Sequence, residues 1–156
     1  MNRIRIEAIP TEVAREVRER VTENLRGFPA HAEISSDDAP CRHCLKTFKS
    51  GFDRRILFTY DRFNGIESFP QPGPVFIHEN DCARYEPDAG FPEQLRNSPR
   101  TLEAYARGRQ LISQERVDHQ DYEAAIGHLF GNEAVDYILV NSTTAGCYTF
   151  RIERQS

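Results

Sequence analysis

Apolar and polar residues alternate at the start of the chain. Ile4, Ile6 and Ala8 point one way and Arg5 and Glu7 the other, which predicts a half-buried strand over residues 4–9. Pro10-Thr11 follows, with Thr11 as a helix cap, and Val13, Val17, Val21 and Leu25 then recur every four residues up to Gly27. That narrow stripe predicts a helix laid on a sheet, with Glu16 placed to support Arg20 and no further role for its charges. Residues 28–40 read as irregular, ending in the polar run Ser35-Ser36-Asp37-Asp38-Ala39-Pro40. Residues 55–60 and 73–78 read as short, largely buried strands. The loop between them, 61–72, carries Phe63, Ile66 and Phe69. A loop of that length either covers a pocket or is pinned to the core, and pinning is the simpler expectation.

Further along, 79–85 and 93–95 each have the makings of one helical turn. Residues 101–106 and 109–117 predict a hairpin turning at Arg107-Gly108. The best helix is 118–131. Asp118 and Asp121 suit its start, Tyr122, Ala125, Ile126, Leu129 and Phe130 make its apolar face, and Gly131-Asn132 stop it. Residues 134–141 and 146–154 read as strands, with Tyr148, Phe150 and Ile152 on one face of the last and Cys147, Thr149 and Arg151 on the other. About six or seven strands with short connections and two main helices predict a mostly antiparallel sheet in an α+β fold, one domain over 1–156.

Composition narrows the function classes. The 156 residues are 38% hydrophobic and 28% charged, an ordinary globular balance. A net charge of -4, with Arg interleaved among Asp and Glu, argues against a nucleic-acid face. The N-terminus lacks an apolar leader, and runs such as Ile56-Leu57-Phe58 and Ile138-Leu139-Val140 are too short to span a bilayer. The expectation is a soluble, cytoplasmic protein, away from membranes, whose partner is a small molecule or another protein. In that setting thiols stay reduced, so a C-x-x-C points to metal or redox chemistry before a structural disulfide.

Three of the four cysteines fall in two short segments, Cys41-Arg42-His43-Cys44 and His78-Glu79-Asn80-Asp81-Cys82. Each segment can aim two side chains at one point, and four thiolate or imidazole donors around one point suit zinc. Cys41, Cys44, His78 and Cys82 are therefore the candidate metal ligands, closing a structural site in a protein with a binding or accessory role. The stretch between the pairs has room for about one hairpin, and it exceeds the ~12–20 residues of common finger and ribbon signatures. His43 is a substitute for His78, and Cys147 is a further thiol if the last strand ends nearby. Against a metal stands the readiness of cysteine to act as a small buried hydrophobe. A redox dithiol tuned by His43 is a third reading, but no buried strand leads into the motif and no helix is expected after it. A fourth is metal-free catalysis by Cys82 with His78, or Cys41 with His43, in a pocket walled by 61–72. Glu79, Asp81 and Asp61 are orienting groups by type alone. No nucleophile elbow, P-loop or dinucleotide fingerprint is present. His31, His119 and His128 read as surface or helix-face histidines.

The segments Pro40-Cys41-Arg42-His43-Cys44-Leu45, Gly73-Pro74-Val75-Phe76-Ile77-His78 with Cys82 and Arg84-Tyr85, and Gly146-Cys147-Tyr148-Thr149-Phe150-Arg151 resemble an uncharacterised bacterial family, domain of unknown function 1203. The resemblance runs over most of the chain in the same order. It implies one small domain in a bacterial, cytoplasmic setting, and neither an activity nor a cofactor. Val140-Asn141 departs from it, since family members often carry His or Arg in the strand before the final Gly-Cys turn.

Overall fold

The computed structural model describes residues 3–24, 27, 29–118 and 121–155. Its elements are β1 (Ile4–Glu7), α1 (Thr11–Thr22), β2 (Ala30–Ile34), β3 (Arg54–Asp61), β4 (Pro72–His78), β5 (Arg100–Ala106), β6 (Gln110–Val117), α2 (Tyr122–Phe130), β7 (Tyr137–Ser142) and β8 (Tyr148–Arg154), with a single 3-10 turn at Glu93–Leu95. Two antiparallel sheets result, β1-β8-β7-β5-β6 and β2-β3-β4. The α+β architecture is the one expected.

Strand β7 lies at the centre of the larger sheet and is covered on both faces. Ile138 and Val140 join Ile6, Leu102 and Phe150 under Ile126 and Leu129 of α2. Tyr137 and Leu139 face the other way, onto Ala14 and Val17 of α1 and onto Ile56, Phe58, Val75 and Ile77 of the smaller sheet. Double coverage is why β7 reads as an unbroken apolar run rather than an alternating one. Helix α2 starts where Asp121 accepts a hydrogen bond from the Ala124 amide at 3.2 Å, so Asp118 lies ahead of the helix and not at its cap.

The structure changes several expectations. Strand β2 arises within the stretch read as irregular; its inward residues are Ala30 and Ala32, too small to leave an apolar rhythm, and it runs along an edge. Helix α1 ends at Thr22, before Gly27, and Leu25 and Phe28 lie outside the described residues. Thr11 is its first residue and not its cap, the cap position being Pro10. Residues 79–85 form no helix. In β8 the register slips between Asn141↔Tyr148 and Val140↔Phe150. The extra residue, Thr149, is a β-bulge, and it turns Tyr148 to the face opposite Phe150 and Ile152. The 61–72 loop is pinned, as expected. Phe63 is fully buried against Tyr105 and Tyr137, and Glu67 accepts hydrogen bonds from the Tyr137 hydroxyl (2.8 Å) and the Arg109 amide (2.7 Å).

Replacing Leu139 by Ala is expected to cost ~2–5 kcal/mol in urea unfolding, because the site cannot collapse between two packed layers. Leu111→Ala on the half-exposed edge strand β6 is expected to stay within ~0.5 kcal/mol of the parent.

Candidate metal centre

The segment around the C-x-x-C is a turn closed by backbone hydrogen bonds. Pro40 pairs with Thr47 in an isolated bridge, the Cys41 amide donates to Lys46 O (2.9 Å), and the Leu45 amide to Cys41 O (2.8 Å). Closing the turn drives Leu45 to φ 58°, a left-handed conformation that costs a residue with a Cβ about 1–2 kcal/mol. Its side chain is 1% exposed in the core, and that burial offsets the strain. Three further bonds dock the turn onto the fold. The Arg42 amide donates to Phe76 O in β4, the Ile9 amide to Arg42 O, and the Tyr85 amide to His43 O, each at 2.9 Å.

Strand β4 ends on His78, so this docking sets the C-x-x-C beside the strand end. Donor atoms of Cys41, Cys44, His78 and Cys82 all lie within 4.8 Å of one another, an arrangement that could hold a metal ion. Cys41 Sγ is 3.9 Å from Cys82 Sγ, and Cys44 Sγ is 3.4 Å from His78 Nδ1. A tetrahedron with ligands at ~2.0–2.3 Å has edges of about 3.5–3.8 Å, close to these two separations. Cys41 and Cys44 are buried, and His78 and Cys82 are half-buried. His78 and Cys82 approach through a loop and not through a helical turn.

Groups around the donors orient and charge them. The Arg18 guanidinium donates from Nη2 to Cys82 Sγ (3.2 Å) and from Nε to His78 O (3.0 Å). His43 Nδ1 lies 3.2 Å from the same sulfur, and its Nε2 lies 3.0 Å from the Thr11 hydroxyl. With the hydroxyl donating to Nε2, Nδ1–H is directed at Cys82. The His78 amide donates to Cys41 Sγ (3.3 Å). On the far side of the His78 ring, Asp53 Oδ2 is 3.6 Å from Nε2, and Phe48 packs edge-on with ring centroids 4.7 Å apart. The same carboxylate oxygen accepts from the Lys49 amide (2.8 Å), and toward the ring it makes a longer, electrostatic contact.

The donors divide their protons unequally. Cys41 and then Cys44 hold the Cys82 thiol far below the usual range, helped by His43 and His78. Hydrogen bonding with Cys41 and Cys82 pushes the Cys44 thiol up. The same two cysteines push His78 up to about 10, against the effect of burial. Between Cys82 and Cys44 negative charge thus falls to Cys82, and His78 is disposed to keep its proton.

The other sequence candidates lie elsewhere or act differently. His43 touches Cys82 but sits outside the four-donor set, and its nitrogens lie against Thr11 and Cys82 rather than Cys41. The C-x-x-C lies on a turn and not at a helix start. Cys147 belongs to a separate cavity beside Arg42. The concavity bordering the 61–72 loop, about 470 Å³, is lined by Ile66, Glu67, Arg107 and Tyr137, and Cys82 and His78 are not among its walls. His31 and His128 are exposed beside Glu33 and Glu115, while His119 lies outside the described residues. Sequence reasoning missed Thr11, Arg18 and Asp53. Thr11 and Arg18 are seven apart, two turns on one helix face, a spacing with meaning only once the partner of that face is known. Arg42 was passed over inside its own motif. Burial holds this guanidinium down to about 10, with Arg100 adding to the effect and Cys147 opposing it.

An α+β fold with a three-cysteine, one-histidine cluster able to hold a metal ion defines the class. The chain belongs to the family described as protein of unknown function (DUF1203), whose sequence model matches residues 38–154. No curated protein and no solved structure matches. Among the described residues, no helix is long and apolar enough to cross a membrane.

In metal-stripped protein at pH 6, alkylation mapped by mass spectrometry is expected to mark Cys82 ahead of Cys44. Cys82 is the more exposed of the two and its thiol is depressed, while the Cys44 thiol is buried and raised.

Proposed function

We propose that Cys41, Cys44, His78 and Cys82 bind one zinc ion in a closed, mainly structural site, in a single-domain cytoplasmic protein with a binding or accessory role. The observation that carries this reading is the convergence of four donor atoms within 4.8 Å from two segments far apart in the chain. A four-donor set of this kind leaves no position for a reacting water, which is the mark of structural zinc. Three thiolates around a divalent cation leave one negative charge, and Arg18 stands against the most exposed sulfur to offset it. A reduced compartment keeps the thiols available for the metal.

The half-exposure of Cys82 beside His78 and its depressed thiol favour a second reading, a metal-free nucleophile and base. Elemental analysis with thiol counting before and after chelator separates the two. One zinc per chain, three protected thiols and a freely reacting Cys147 support the structural site. No metal and a single fast Cys82 support the enzyme.

Cys44→Ser is expected to abolish stoichiometric zinc and to destabilise the fold by several kcal/mol, a part of the ~10–16 kcal/mol that zinc supplies to small finger peptides. Arg18→Ala and Asp53→Asn are expected to keep the fold and to weaken zinc ~10–100-fold in competition with a chromogenic chelator. Because the ligands must lose their protons to bind, zinc is expected to be released as pH falls, and earlier in Arg18→Ala than in the parent.

A further inference from the structure

The outward side of the C-x-x-C turn forms one wall of a cavity of about 760 Å³, a volume typical of small-molecule sites. Cys41 and Cys44 face the metal cluster, and Arg42, between them in sequence, lines the cavity together with Arg100 from the start of β5. Both arginines are only 4% exposed. Buried guanidinium groups are ordinarily paired with carboxylates. Among the described residues neither has a carboxylate partner. Arg42 donates from Nε to Tyr148 O (2.9 Å) and from Nη1 to Pro40 O (2.7 Å), which leaves Nη2. Arg100 donates from Nη2 to the Ser98 hydroxyl (2.9 Å) and from Nε, at 3.4 Å, to Leu95 O, which leaves Nη1. The rim carboxylates do not fill the gap. Asp37 is held by Arg55 at 2.7 Å, and exposed Asp38 acts on Arg100 only as a distant charge. The rest of the wall includes apolar surface from Leu57, Pro74 and Phe76.

We propose that this cavity binds a small organic anion, its carboxylate or phosphate group held by Arg42 and Arg100 and its apolar part resting on Phe76 and Leu57. Two planar donor forks with spare N–H groups match such a head. The anion would also offset the repulsion between the two guanidinium groups. The site is distinct from the metal cluster, and the proposal stands on the arginines whether or not zinc is bound.

Cys147 lines the same cavity, is half-buried, and is outside the metal cluster. It therefore reports on occupancy without any substitution. The full chain as purified, with its metal content measured on the same samples, is titrated with inorganic phosphate and separately with benzoate. Sodium chloride at matched ionic strength serves as the control. Binding is followed by calorimetry and by the rate at which a neutral maleimide labels Cys147. The expected result is saturable binding of at least one probe, with Cys147 labelling slowed along the same curve. Phosphate alone assigns a phosphate head, and benzoate alone a carboxylate. Arg100→Gln and Arg42→Gln are each expected to lose ~10–100-fold in affinity, the weight of a hydrogen bond to a charged group. Should Arg42→Gln fail to fold, Arg100→Gln and the protection of Cys147 in the parent decide the matter. Absence of saturable binding by both probes, protection matched by chloride, or unchanged affinity in Arg100→Gln overturns the proposal. None of these outcomes bears on zinc content, so the two readings fail separately.

Discussion

Three sulfurs and an imidazole cannot share a space 4.8 Å across without a decision about charge. As thiolates they repel strongly at such separations. As neutral thiols they would be packed beside a buried histidine and an arginine, which is a wasteful use of polar donors. A cation at the centre resolves both difficulties. The surroundings are arranged as though one were expected, because Arg18, the His43 ring and the His78 amide all direct N–H groups at sulfur. Every element that meets at this point is held there by the requirement that two short segments stay in register.

That requirement accounts for much of the local geometry. Arg42 ties the C-x-x-C turn to β4 by its amide and to β8 by its side chain. Ile9 and Tyr85 tie the same turn to the segment after β1 and to the loop after Cys82. Arg84 reinforces the last connection by donating to Ala8 O at 2.6 Å and to Glu7 at 3.1 Å. The turn is thus a junction between the two sheets, and the left-handed Leu45 is tolerated because closure there is over-determined. An ion held there would bear on several elements together.

The fold was legible where periodicity was strong. Alternation in β1, the apolar run of β7 and the Asp121-capped face of α2 were all apparent, because each reflects burial against a large surface. Strand β2 was not legible, since its inward alanines give no contrast, and the bulge at Thr149 was not, because one inserted residue leaves composition unchanged while reversing the facing of Tyr148. In the site, the four candidate donors were readable from pairwise spacing alone, and the fold places them together. The groups that serve them were hidden. Arg18 looks like any surface arginine on α1, and Asp53 like any turn aspartate, until β4 brings His78 between them. Sequence spacing identifies pairs within a segment, whereas the partners of a pair depend on tertiary register.

The same turn has two faces with opposite chemistry. Cys41 and Cys44 look inward to the metal cluster, and Arg42 looks outward into the cavity with Arg100 and Cys147. Anything that sets the dihedral angles at 41–44 also sets the position of the Arg42 fork. A planar donor pair is sensitive to such placement, because bidentate geometry is lost with small rotations. Three of the segments through which the family is recognised contribute to the cavity wall: Pro40 with Arg42, Pro74 with Phe76, and Cys147. A metal held on the inner face would steady this turn, while the outward guanidinium, without a carboxylate partner among the described residues, stands ready for an anion with or without it. On that view one turn serves two separate sites: a bound ion would add rigidity on one side, and the arginines supply recognition on the other.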